Sequence, residues 1–208
     1  MAPIMEKLQI DSSAYRYERK FFIRQTNRNS VINFVKMHPS FFSEIFHERW
    51  VNNIYFDYIG LQNFMDNING NTDRTKYRIR WYGELFQRVE NSKLEIKLKK
   101  GVVGSKKTFD LKPFECKPDM DKSFSDTEFC GSAITDYVKW SLKDQLPVLV
   151  NRYRRKYFIS ADKKFRITID DEQSFYKIGS LTNTFLNKHF DNENVIMELK
   201  YDLKSDQE

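Results

Sequence analysis

Charged residues fall on alternate positions in one strand-like segment after another, and this period of two restricts the fold more than any other feature. In "TKYRIRWYG" (75–83), Tyr77, Ile79 and Trp81 occupy one alternate set, and Arg78 and Arg80 the other. Two arginines two residues apart lie on the same face of a strand. The pattern recurs with Glu18 and Lys20, with Glu95, Lys97 and Lys99, with Tyr153 and Arg155, with Arg166, Thr168 and Asp170, and with Glu198 and Lys200. The opposite faces are apolar: Leu94, Ile96 and Leu98; Phe165, Ile167 and Ile169; Met197, Leu199 and Tyr201.

Eight segments read as strands from their β-branched and aromatic content: 14–24, 50–58, 75–83, 92–100, 105–111, 147–160, 164–171 and 194–202. Helices are expected over 27–38, which Pro39 follows, over 60–69, and as one or two within 123–146. Strands dominate and the helices are segregated. That favours an α+β fold or a closed barrel over a doubly wound sheet. The 208 residues suit one domain, and 18 Phe with 11 Tyr supply a substantial core. Only 7 Gly are present, which argues against folds built on glycine-rich nucleotide loops.

A solvated antiparallel sheet gives the same alternation, and for a single strand it is the simpler account. The set of strands behaves otherwise. At least six carry Lys or Arg on the polar face, with few acids to compensate, and like charges on neighbouring strands repel. A closed sheet whose cationic face surrounds a polyanion resolves the conflict. The net charge of +6 permits such a partner. Glu18, Glu95 and Glu198 each precede a lysine by two residues, so each either neutralises it or holds a Mg²⁺ or Mn²⁺ ion against a phosphate.

On these residues the chain resembles the triphosphate tunnel metalloenzyme superfamily (the CYTH-like fold), and within it the vacuolar transporter chaperone (VTC) domain, a polyphosphate polymerase module. The resemblance covers about residues 15 to 202 and is carried by "YERKF", "NNIYFD", "YRIRWYG", "LEIKLKKG" with "SKKTF", "PVLVNRYRRKYF", "FRITIDD" and "VIMELKYD", in that order. It implies one domain over 1–208, a closed eight-stranded antiparallel barrel forming a triphosphate tunnel, and helices packed outside. It also implies transfer of the ATP γ-phosphate to a growing polyphosphate chain. Phosphate-binding positions fall on Lys20, Arg78, Arg80, Lys97, Lys106, Tyr153, Arg155, Arg166 and Lys200, with Lys107 an alternative to Lys106. The metal-binding glutamate falls on Glu198, with Glu18 and Glu95 as further candidates. The implied cofactor is Mn²⁺ or Mg²⁺, and the implied partners are ATP and polyphosphate or triphosphate. Replacing Arg78 or Arg80 with Ala is expected to weaken polyphosphate binding and leave the fold intact.

Pyrophosphatases and cyclases of the superfamily open with Glu-x-Glu-x-Lys; here Arg16 replaces the first Glu, which favours the VTC branch. VTC domains usually continue into a helix with a Ser-Lys-Tyr segment that caps the tunnel, whereas this sequence ends at "YDLKSDQE". Triphosphate hydrolysis and a non-catalytic polyphosphate-binding module are the alternative functions. "GVVGSKKT" (101–108) nearly spells a P-loop, but Lys106 stands in the place of its second Gly. His38, His47 and His189 have no metal-ligand spacing and read as structural or surface residues. Phe21, Phe22, Phe41, Phe42, Tyr55 and Phe56 read as core. They alternate away from the basic set, and no nucleic-acid partner is expected. Cys116 and Cys130 match no metal or disulfide pattern and suit a reducing, cytoplasmic setting. No apolar run approaches a membrane span, although a membrane-bound partner is compatible with the sequence.

Overall fold

The computed structural model describes residues 15–119, 134–179 and 188–206. Within them the elements run β1 (Arg16–Ile23), α1 (Arg28–Lys36), β2 (Ser43–Asp57), α2 (Gln62–Ile68), β3 (Asp73–Tyr82), β4 (Gln87–Val89), β5 (Ser92–Lys100), β6 (Val103–Leu111), β7 (Phe114–Cys116), α3 (Asp136–Leu142), β8 (Leu146–Ile159), β9 (Arg166–Lys177), β10 (Lys188–Asp191) and β11 (Val195–Asp202). Each of the eight expected strands is present. Strands β2 and β9 extend well beyond their expected bounds. The helix expected within 123–146 is α3; the part of that stretch before residue 134, with Cys130, lies outside the described residues.

Eight strands close into a ring in the order β9-β11-β1-β6-β5-β3-β2-β8, and β8 returns to β9. Every pairing is antiparallel, and β10 hangs on β9 as an extra strand. Among the described residues the β1–β6 seam is narrow, with Arg16 opposite Gly104 and Tyr17 opposite Val103. Strands β4 and β7 form a separate small ribbon. Closure leaves no free edge around the ring.

Because side chains alternate, closure sends one set inward and the other outward. The outward sets build two cores. Ile54, Tyr77, Ile79, Trp81, Leu94, Ile96 and Leu98 meet Val138 and Leu142 of α3. On the other side Phe158, Ile167, Ile169 and Val195 meet Val31, Ile32 and Val35 of α1. Helix α1 is capped by Asn27, whose side-chain oxygen accepts from the Asn29 backbone N–H at 2.6 Å. Helix α2 differs: it buries none of its own side chains. It is held by Asp57, which accepts from the backbone N–H groups of Asn63 and Phe64 at 2.9 and 3.0 Å.

"GVVGSKKT" is a hairpin. Lys100 pairs with Val103, and Gly101 takes a positive φ of 57° in the two-residue loop between antiparallel β5 and β6. A P-loop would lead from a strand into a helix. The aromatic residues divide more than expected. Phe42 and Phe56 are buried, but Phe21, Phe22 and Phe41 are exposed; Phe22 continues the alternate set of Glu18 and Lys20 at the end of β1, away from the helices, and Phe41 lies in the segment just before β2. His38 accepts from the Ser40 backbone N–H and packs edge-on to Phe42, and His47 and His189 lie exposed on strands. Among the described residues, no helix is long and apolar enough to cross a membrane.

Candidate functional site

The interior of the ring carries two linked groups of ionised side chains. The first centres on Glu95 of β5, only 3% exposed. Arg78 of β3, directly across the ladder, donates to its Oε2 through Nε at 2.8 Å and Nη2 at 2.6 Å. Lys106 of β6 reaches Oε1 at 2.8 Å. Register resolves the choice between the two lysines: Lys106 faces Lys97 on the inward set, while Lys107 lies opposite the outward Ile96. Arg80 lies 3.8 Å from Glu95, and donates to Asn53 Oδ1 at 2.7 Å and to the Tyr153 hydroxyl at 2.9 Å. Asn53 in turn donates to Asn151 at 2.8 Å.

The second group lies on β1, β5, β8, β9 and β11. Glu18 accepts from Arg16 at 3.1 Å through Oε1 and from Lys97 through Oε2. Lys200 donates to Glu198 Oε2 at 2.9 Å, and Lys20 approaches the other oxygen at 3.9 Å. Arg155 forms two parallel bonds to Asp170, at 2.5 and 2.6 Å, and lies over the Tyr153 ring at 4.9 Å from its centroid. Tyr153 thereby joins the two groups.

Burial alone would raise the pKa of each glutamate, but the surrounding cations win. Lys97 and Lys200 hold Glu18 at about 2. Arg78, Arg80 and Lys106 hold Glu95 far below the usual carboxylate range, and Lys200, Lys20 and Lys97 do the same for Glu198. Lys200 moves the other way. Burial lowers it to about 8, and Arg155 adds to the shift against the opposing pull of Glu198. Tyr55 accepts from Arg78 Nη1 at 3.0 Å. Burial would raise its pKa, but Arg78 and Arg80 bring it to about 8.

The structure therefore brings Lys20, Arg78, Arg80, Lys97, Lys106, Tyr153, Arg155, Lys200, Glu18, Glu95 and Glu198 onto one interior wall. Arg166 shares their face on β9, opposite Lys200, but is exposed and makes no hydrogen bond or ion pair among the described residues. Sequence reasoning missed the neutral members of the wall: Asn53, Tyr55 and Asn151. It also left Asp170 without its role as the partner of Arg155. Asn53 and Tyr55 alternate with Ile54 and Phe56, so the same period of two would have placed them inside.

An antiparallel ring with an ionised cationic interior defines a triphosphate tunnel fold. The VTC domain family model matches residues 15–207, and the chain belongs to that family. Among solved structures, an adenylyl cyclase candidate from Hippeastrum, described as having a dominant triphosphatase activity, is similar at 10% identity. It covers 89% of this chain and 79% of its own, with a TM-score of 0.51. An adenylate cyclase candidate from Vibrio parahaemolyticus is 10% identical over 92% of this chain and 79% of its own, with a TM-score of 0.49. At such identity the likeness concerns the fold alone. No curated protein matches the sequence.

Proposed function

We propose that this domain is a polyphosphate polymerase that transfers the γ-phosphoryl group of ATP to the end of a polyphosphate chain. The observation that carries the reading is the convergence of Arg78, Arg80, Lys97, Lys106, Arg155 and Lys200 on one enclosed wall. A triphosphate needs such a wall, because charge spreads over its equatorial oxygens as the phosphoryl group moves. A terminal oxygen of the chain attacks the γ-phosphorus. The bond from that phosphorus to the bridging oxygen breaks, and ADP leaves with the electron pair. No protein nucleophile is required. Lys20 and Arg166, at the less buried positions, extend the cationic track for the acceptor chain.

A divalent cation fits the wall in a limited way. Among the described residues, no three His, Cys, Asp or Glu side chains gather round one point. Glu18 and Glu198 lie diagonally across the β1–β11 ladder, both held ionised. One or two carboxylates completed by substrate phosphates suit Mg²⁺ or Mn²⁺. Glu198 and Glu18 would hold the ion, which when bound supplies charge neutralisation on the phosphates. Glu198 fits best, since among the described residues its Oε1 has only Lys20 nearby, at 3.9 Å. Both oxygens of Glu18 accept, from Arg16 and Lys97. Both oxygens of Glu95 are engaged by Arg78, which takes one of them through two N–H groups, and by Lys106.

Purified protein incubated with ATP and Mn²⁺ is expected to form polyphosphate and ADP. Phosphate release from tripolyphosphate without polymer would assign hydrolysis instead. Tight tripolyphosphate binding without turnover under any divalent metal would assign a binding module.

A further inference from the structure

Thr168 lies on β9 midway between two members of the wall. It faces Glu198 of β11 on one side and Tyr157 of β8 on the other, with Arg166 and Asp170 two residues away on its own strand. It is 6% exposed, and among the described residues its hydroxyl has no hydrogen-bond partner. The groups around it are already engaged. Glu198 accepts from Lys200, both Asp170 oxygens accept from Arg155, and the Tyr157 hydroxyl accepts from Arg49. Thr75 and Ser105 also carry partnerless hydroxyls, but their strands turn them outward, beside Leu98.

A buried hydroxyl without a partner lowers stability, and valine fills the same space on a strand without that loss. The fold therefore gives no reason for a hydroxyl at this position. A ligand does. We propose that Thr168 Oγ1 donates a hydrogen bond to a phosphoryl oxygen of the bound triphosphate, beside Glu198. The hydroxyl is a neutral donor in a wall of cations. It can bind an anionic oxygen without adding to the repulsion among Lys20, Lys97, Arg155 and Lys200. This inference rests on the tunnel as the polyphosphate site.

Thr168→Val, Thr168→Ala and Thr168→Ser separate the hydroxyl from the packing. Tripolyphosphate is titrated by calorimetry in EDTA and again with Mn²⁺. Without ligand, Thr168→Val is expected to melt about 2–4 °C above the parent, since an unsatisfied group is gone. It is expected to bind tripolyphosphate roughly 10- to 100-fold more weakly under both conditions, the worth of a hydrogen bond to a charged acceptor. Thr168→Ala shows the same loss of affinity, and Thr168→Ser stays within about threefold of the parent. Unchanged affinity in Thr168→Val and Thr168→Ala overturns the proposal. A loss confined to Mn²⁺ also overturns it, because the hydroxyl then acts on the ion. If the parent protein does not bind tripolyphosphate, the tunnel reading itself falls; binding by the parent with no effect at Thr168 removes only this inference.

Discussion

Glu95→Gln tests whether the interior acids are stand-ins for a bound polyanion. The substitution keeps the side chain's shape and removes its charge. The amide oxygen can still accept from Arg78, but the amide N–H₂ then faces Lys106 Nζ, now 2.8 Å from a carboxylate oxygen. Removing one partner of a buried ion pair typically costs about 3–5 kcal/mol. Lys106 is 43% exposed at its side chain and can turn to water, so the lower figure, about 3 kcal/mol, applies here. For a domain of this size that lowers the melting temperature by roughly 6–12 °C. Binding should change in the opposite direction. If a phosphoryl charge binds at an assumed separation of about 8 Å from Glu95, it would meet about 2 kcal/mol of repulsion at an effective dielectric near 20. Its removal should then tighten tripolyphosphate binding by roughly 30-fold. Thermal melts with and without saturating tripolyphosphate, and calorimetry in EDTA and in Mn²⁺, read both effects. The melting-temperature deficit should shrink when ligand is present. A deficit that persists undiminished, with affinity unchanged, would refute the reasoning. Weaker binding seen only with Mn²⁺ would make Glu95 a metal ligand.

Lys200, lowered to about 8 when free, should be charged in both free and bound protein below that pH, and bound phosphate should raise its pKa. Affinity is then full below pH 8 and falls as pH rises above it, by up to tenfold per unit. Lys200→Arg should flatten that fall in a titration series from pH 7 to 9.5, and a parallel slope in both proteins would count against it. Tyr55 titrates in the same window with the same sign, so Tyr55→Phe should remove a second share of the slope in the same assay. Arg166→Ala should leave the melting temperature within the effect of about 0.5 kcal/mol usual for surface changes. It should still weaken tripolyphosphate binding at low salt, with the difference fading as ionic strength rises. Asp170→Asn should destabilise the protein by about 3–5 kcal/mol in denaturant melts, because Arg155 keeps a buried charge without its partner.

The ring strands were legible because a period of two survives in each of them, down to which of Lys106 and Lys107 could face inward once register was known. The lengths of β2 and β9 were not legible, for a local reason. Between Arg152 and Arg154 the β8–β9 ladder shifts register, and Glu172 takes a φ of 48° there, so the alternation that marks β9 breaks after Asp171 although pairing continues to Lys177. On β2 the ladder shifts twice between Glu44 and Arg49. The exposed aromatics were misjudged because hydrophobic character sets what can be buried, while the face and the neighbours of each position decide what is covered. The site was legible in its charges and illegible in its partnerships. Which acid holds which base depends on strand order, and Arg155 meets Asp170 only because β8 closes the ring against β9.

Those partnerships change what the arginines are. Taken from sequence, Arg78 and Arg80 were ligands whose removal would spare the fold. In the structure Arg78 is a member of a buried ion pair, and Arg80 ties Asn53 and Tyr153 to the wall. Replacing either with Ala strands a polar group that the fold relies on, so binding and stability cannot be separated at these positions. They can be separated where a wall residue has no partner to lose. Among the described residues, Arg166 is such a residue at the exposed end, and Thr168 is such a residue in the interior. The wall thus combines two kinds of member. Paired ions hold the interior together in the absence of substrate, with Glu18, Glu95, Glu198 and Asp170 balancing part of the cationic charge. Unpaired groups do not stabilise the empty ring, and the buried Thr168 hydroxyl costs it stability; on the proposed function their partner is phosphate. On the proposed function, a polyanion entering the ring would supply the counter-charge that four carboxylates leave incomplete, and at equal ligand concentration it should raise the stability of Glu95→Gln by more than that of the parent, because the variant binds it more tightly.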